Sequence, residues 1–151
     1  SETHLNLGQS YLSLRNFTQA LNSLEKAIEL DRRNYLAFYN KGLLHEELGD
    51  IDGAIESYLR ALRIEPNHPE SNNNLGKIFL LRDEPKRASK LFERAISFDD
   101  KHTQALINQG NALSKLGMLD EAIANLSQAL VLQPKNSEAA DLLDTLQHQV
   151  A

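Results

Sequence analysis

Apolar residues in this chain fall in helix-spaced runs, and the runs recur every 34 residues. In the first 34, Leu5, Leu12 and Leu14 lie in one segment, and Leu21, Leu24, Ile28 and Leu30 in the next. Apolar positions recurring at i, i+3, i+4 and i+7 mark an amphipathic helix. Polar turn residues separate the two helices of each unit at Arg15-Asn16, Gly49-Asp50, Asp83-Glu84-Pro85 and Gly117. Others separate one unit from the next at Arg32-Arg33-Asn34, Pro66-Asn67-His68-Pro69, Asp99-Asp100-Lys101 and Pro134-Lys135-Asn136. Small residues keep the same register: Gly8, Gly42, Gly76 and Gly110; Ala20, Ala54, Ala88 and Ala122; Ala27, Ala61, Ala95 and Ala129. A period of this length predicts stacked helix-turn-helix units and an all-α solenoid in which each unit contacts its neighbours. The units run 1–34, 35–68, 69–102 and 103–136, with a last helix over 137–151.

The small columns have a packing reason, because a bulky side chain at a helix crossing pushes the axes apart. The glycine column is expected to face the Ala20 column, and the Ala27 column to admit the first helix of the following unit. Leu24, Tyr58, Phe92 and Leu126 then fill one flank, and Ile28, Leu62, Ile96 and Leu130 another. Pro85 is expected at the first helical position, which tolerates proline. Pro66 and Pro134 are expected to stop second helices. In the tail, Ser137 reads as an N-cap with Glu138 in the first turn. Ala139, Leu142, Leu143, Leu146 and Val150 form its apolar stripe, while Asp144 takes the glycine register, as suits a solvating cap. A start at Ser1 rather than Met is expected of a processed chain or a fragment.

Composition narrows the class. There are no cysteines, so no disulfide framework or thiolate zinc site. No apolar run approaches the roughly 20 residues of a membrane span, and no secretory pattern opens the chain. A cytoplasmic protein is expected. The net charge of −5 weighs against nucleic acid.

The residues now name a family. Gly at the eighth position of each unit, Ala at the twentieth and twenty-seventh, and Pro66 and Pro134 at the thirty-second resemble the tetratricopeptide repeat. So do the strings Leu7-Gly8, Tyr11, Glu121-Ala122 and Ile64-Glu65-Pro66. Arg32 and Asp100 depart from the proline column, Pro85 from the usual aromatic turn position, and His45 and Leu113 from the tyrosine column. The strict 34-residue spacing and acidic balance go against the pentatricopeptide cousin that binds RNA. The resemblance implies a right-handed superhelix of four units plus a C-terminal solvating helix. It also implies a concave face, lined by the first helices, that holds a protein segment.

That face is expected at the second, fifth, sixth, ninth, twelfth and thirteenth positions of each unit. Its sixth position is asparagine throughout: Asn6, Asn40, Asn74 and Asn108, with Gln9, Asn73 and Asn111 adding amides. An amide both donates and accepts, as a peptide unit requires. First helices about 10 Å apart would meet roughly every third residue of a strand rising about 3.3 Å per residue. Such a ladder would read main chain, and it resembles asparagine ladders in repeat regions of O-linked N-acetylglucosamine transferase and peroxisomal import receptors. Tyr39 and Leu43 add apolar contacts one turn apart, Lys77 and Lys115 offer cations, and Glu46 and Glu47 form an acidic spot. The carboxylate clamp of Hsp70- and Hsp90-binding members is not expected, since its places hold Leu5, Gln9, Asn40, Glu70 and Asn74, of which only Asn40 agrees.

Enzymatic chemistry is not expected. His45-Glu46-Glu47 lacks the second histidine of a zincin, His68 and His102 read as solvent-facing turn residues, and no cofactor or metal is implied. The candidate ligand residues are thus Asn6, Gln9, Tyr39, Asn40, Leu43, Asn73, Asn74, Lys77, Asn108 and Asn111, with a protein or peptide as partner. Two alternatives remain open: the substrate-recognition region of a larger enzyme such as a glycosyltransferase, and a scaffold that self-associates end to end.

Overall fold

The computed structural model describes residues 1–150, and among them every regular element is an α-helix. In chain order these are α1 (Glu2–Ser13), α2 (Phe17–Leu30), α3 (Tyr35–Glu47), α4 (Ile51–Ile64), α5 (Pro69–Leu81), α6 (Pro85–Phe98), α7 (Thr103–Lys115), α8 (Leu119–Leu132) and α9 (Ser137–Val150). No helix among the described residues is long and apolar enough to cross a membrane. The chain forms two compact units, Ser1–Ser71 and a second that begins at Asn72. That division falls inside α5, three residues beyond the 68/69 edge of the sequence period.

The turn inside each pair of helices is built the same way four times. The amide of Asn16 donates to the Tyr11 carbonyl (2.8 Å) and that of Arg15 to Leu12 (2.9 Å). The same two bonds recur at Asp50 and Gly49, at Glu84 and Asp83, and at Met118 and Gly117. This pairing satisfies the last free carbonyls of the first helix and requires one residue in the left-handed region. Glycine fills that place at Gly49 (φ 74°) and Gly117 (φ 77°), but Arg15 (φ 56°) and Asp83 (φ 59°) hold it with side chains. The following residue then caps the second helix where its chemistry allows. Asn16 accepts from the Gln19 amide and Asp50 from the Gly53 amide, and Pro85 occupies the first turn of α6 behind Glu84.

In the first unit, α1 packs on α2 and α3, and α3 on α4. Its core joins Leu5, Ala20, Leu24, Ala27, Ala37 and Leu44. In the second unit α7 packs on α6, α8 and α9, around Leu106, Ile107, Leu113, Ala122, Leu126, Ala129, Ala139 and Leu146. All four members of the Ala20 column and all four of the Ala27 column are fully buried.

The glycine column has a different partner from the one its register suggests. A Cβ on Gly8 would lie 2.7 Å from Leu24 Cδ2, on Gly42 2.5 Å from Tyr58 Cε1, on Gly76 2.6 Å from Phe92 Cε1, and on Gly110 2.7 Å from Leu126 Cγ. Each glycine therefore receives the large side chain of the Leu24 column as its nearest neighbour, and a Cβ on Gly110 would also meet the Ala20 column at the Ala122 carbonyl, 3.3 Å away. The physical reason is that Leu24, Tyr58, Phe92 and Leu126 are themselves fully buried. Only a missing side chain opposite leaves room for them at the interior density of proteins.

The caps between units also differ from the sequence reading. Asn136, not Ser137, caps α9: its Oδ1 accepts from the Ala139 amide at 3.0 Å. Asn34 does the same for the Ala37 amide at 3.0 Å. The residues one period along are His68 and His102, whose Nδ1 atoms accept from the amides of Ser71 (3.3 Å) and Ala105 (3.2 Å). Both are half-buried caps, not solvent-facing turn residues. In α9, Ala139 and Leu146 are buried and Leu142 and Leu143 pack on the same core. Val150 stays 53% exposed and leaves the expected stripe. Asp144 is exposed, with His148 Nδ1 3.6 Å away.

Candidate protein-binding faces

The first unit places Asn6 and Gln9 on α1, and Tyr39, Asn40 and Leu43 on α3. Asn6 and Gln9 are exposed; Ser10 and Ser13 hydroxyls bind their backbone carbonyls and leave the amide side chains clear. Asn40 is only 4% exposed, and its Nδ2 donates to the Leu36 carbonyl at 2.7 Å. That bond to the preceding turn fixes the amide plane. Tyr39 is half-buried, its ring 6.0 Å from that of Tyr58 and 5.0 Å from that of His68, the latter nearly perpendicular at 80°. Edge-to-face contacts of this kind hold a ring in one orientation. Leu43 is half-buried beside them in sequence register.

His68 is the residue that sequence reasoning underestimated. Its ring also meets Tyr35 at 5.1 Å, its Nε2 lies 2.9 Å from Glu70 Oε2, and its Nδ1 lies 2.7 Å from Ser71 Oγ. Burial lowers its pKa from 6.5, against the opposing pull of Glu70 and then Glu65. The neutral tautomer with the proton on Nε2 fits these contacts, since Nδ1 then stays an acceptor for the cap. The signal in the sequence was the shared register of Asn34, His68, His102 and Asn136.

The second unit places Asn73, Asn74 and Lys77 on α5, and Asn108 and Asn111 on α7. Here the amides bond to one another. Asn108 Nδ2 donates to Asn73 Oδ1 at 2.9 Å, across 35 residues of sequence. Asn73 Nδ2 donates in turn to Asn74 Oδ1 at 3.2 Å, and Gln104 Nε2 lies 3.4 Å from Asn108 Oδ1. Asn73 and Asn108 are buried, at 5% and 7% exposure, while Asn74, Lys77 and Asn111 are half-buried. Buried amides must be satisfied, and a chain of them sets each member's orientation.

The charges expected to face a ligand are largely committed within the protein. Glu47 meets Arg15 at 3.4 Å, Glu46 accepts from the Tyr58 hydroxyl, and Lys115 lies 3.5 Å from Asp83. No group of three or more His, Cys, Asp or Glu positioned for a metal occurs among the described residues.

Comparison with known proteins agrees with this architecture. Tetratricopeptide-repeat family models match residues 5–69 and 103–136. The human protein named FK506-binding protein-like is 32% identical over 142 residues, a match covering 87% of this chain and 40% of that protein. The chain spans between about a fifth and two fifths of the length of the first curated relatives it matches. Among solved structures, that of PilW, described as a widely conserved type IV pilus biogenesis factor, superposes with a TM-score of 0.84 at 28% identity, covering 98% of this chain and 69% of that one. YrrB, described as a TPR protein with an unusual peptide-binding site, superposes with a TM-score of 0.84 at 24% identity, covering 97% and 75%. The helical pairs, the glycine column and two matching family models together make this chain a member of the tetratricopeptide-repeat family.

Proposed function

We propose that the protein is an interaction module that holds a segment of a partner protein on its first-helix faces, reading the partner's main chain through oriented amides. The observation that carries this reading is the amide series of the second unit, Asn108 to Asn73 to Asn74. Helix positions buried to this degree would pack as well with apolar residues. An amide fixed by one bond retains the capacity for others, because each Asn has two donors and two acceptor lone pairs. Fixing the amide in advance also removes part of the ordering cost of binding. Asn6, Gln9 and Asn111 supply less buried amides beside the fixed ones. In the first unit Tyr39, held by two rings, offers an aromatic anchor of the kind interfaces favour. A peptide-binding site in YrrB, a protein of the same fold, is in keeping with a protein partner.

The test starts with a peptide selected on the protein from a displayed library. Asn6→Ala and Asn111→Ala should each weaken that peptide about fivefold or more, the effect of one lost hydrogen bond. Tyr39→Ala should weaken it further. Circular dichroism should stay unchanged for the two asparagine variants, whose side chains make no hydrogen bond among the described residues. Unaltered affinity in all three variants would remove the assignment of these faces.

A further inference from the structure

The second unit contains a recess between α6, α7 and α8, away from the amide series. Its lining includes Glu93 and Ile96 from α6, Gln109 and Leu113 from α7, and Met118 and Glu121 at the start of α8. Gln109 is only 7% exposed, yet its Oε1 has no hydrogen-bond partner among the described residues. A buried acceptor left unsatisfied calls for an explanation. Glu93 and Glu121 are exposed, and neither carboxylate makes an ion pair among the described residues. The recess therefore combines one orphaned acceptor, two unpaired anions and an apolar wall of Ile96, Leu113 and Met118.

The repeat supplies its own comparison. Two periods upstream, Gln109 corresponds to Lys41 and Glu93 to Glu25. In the first unit the Lys41 ammonium donates to Glu25 Oε1 at 3.1 Å. At this register an ammonium group meets that carboxylate from within the protein. In the second unit the carboxylate is kept and the lysine is replaced by a shorter, neutral acceptor.

We propose that this recess takes the ammonium end of a lysine side chain presented by a partner protein. The ammonium donors match the exposed carboxylates Glu93 and Glu121, and rotation of the buried Gln109 amide toward the recess supplies Oε1 as the third acceptor. The methylene stem lies on Ile96, Leu113 and Met118. Two carboxylates around a neutral amide suit a monovalent cation on an aliphatic stem. A planar guanidinium would instead favour a bidentate carboxylate. The site is independent of the first-helix faces, so failure of one does not remove the other.

The experiment is an NMR titration of the methyl- and amide-labelled protein with Nα-acetyl-lysine N-methylamide. Nα-acetyl-norleucine N-methylamide, of similar shape and no charge, is the control. The lysine probe should shift the Gln109 side-chain amide and the methyls of Ile96, Leu113 and Met118 saturably, with the norleucine probe far weaker. Glu93→Gln should weaken the lysine probe about fivefold, as loss of one exposed charge pair allows. Gln109→Lys, which supplies the ammonium from within as Lys41 does, should abolish the titration while the helical spectrum is retained. Asn6→Ala and Asn111→Ala should leave it unchanged. Equal shifts from the two probes, no saturable shift with lysine, or a Gln109→Lys variant that titrates like the parent would overturn the proposal.

Discussion

At the scale of single residues, the fold rests on a pairing of nothing with something large. Gly42 and Gly76 matter because Tyr58 and Phe92 lie where their side chains would be. A methyl there must displace a fully buried ring, a form of overpacking that costs about 1–3 kcal/mol. Gly42→Ala and Gly76→Ala should therefore lower stability by that amount in urea unfolding. Gly8→Ala and Gly110→Ala should cost a similar amount, since a methyl there meets Cγ of the fully buried Leu24 or Leu126 at 2.7 Å. The glycine column was plain in the sequence, but its partner was not. Periodicity identifies which helix faces which, whereas the choice between Ala20 and Leu24, one turn apart, depends on the axial offset of the two helices. A second residue-scale expectation comes from Arg15, which holds a left-handed φ of 56° where glycine stands in two other units. Its ion pair with Glu47 is largely exposed and contributes little. Relief of the left-handed strain is offset by the entropy cost of glycine and by loss of the Arg15 guanidinium from the Phe17 ring, 5.5 Å away. Arg15→Gly should therefore leave stability within about 0.5 kcal/mol of the parent, read from the urea midpoint at unchanged slope.

At the scale of elements, the four junction residues Asn34, His68, His102 and Asn136 act as one capping column with two chemistries. An asparagine cap is indifferent to pH, but a histidine cap works only while Nδ1 is unprotonated. For His68 the sign follows from its lowered pKa. The unfolded chain takes up a proton near 6.5 and the native chain only at lower pH. The stability this cap contributes is thus complete above 6.5 and is lost as pH falls through the native value. Glu65 and Glu70 face the ring and moderate the effect, while Tyr35 and Tyr39 enclose it. His68→Asn, which places at this junction the residue used at the other two, should flatten the decline in thermal stability between pH 7.5 and 5.5. A decline as steep as that of the parent would show that other groups govern it. Helix positions and turns were legible because proline, glycine and apolar spacing act locally. The capping role of histidine was missed because a ring nitrogen seldom replaces an Asn or Asp oxygen, and only the register of the column discloses it.

At the scale of the whole molecule, family membership rests on repeated geometry, and function on which side chains remain available beside it. The sequence column Asn6, Asn40, Asn74 and Asn108 is uniform, yet its members have different surroundings. Asn6 is exposed, Asn40 bonds to its own helix, and Asn108 reaches Asn73 on a neighbouring helix. No sequence pattern carries that distinction, since it depends on how closely neighbouring first helices approach in each unit. The buried amides are expected to serve as fixed reference points, and the partly exposed ones to complete contact with a partner's backbone. The most direct measurement is a backbone N-methyl scan of a selected peptide ligand by calorimetry. N-methylation removes one peptide N–H and leaves the sequence of side chains intact. Affinity should drop about fivefold or more at methylated positions spaced roughly three residues apart, with little change between them. Uniform tolerance of N-methylation, with affinity lost only on changing side chains, would contradict main-chain recognition by the amides.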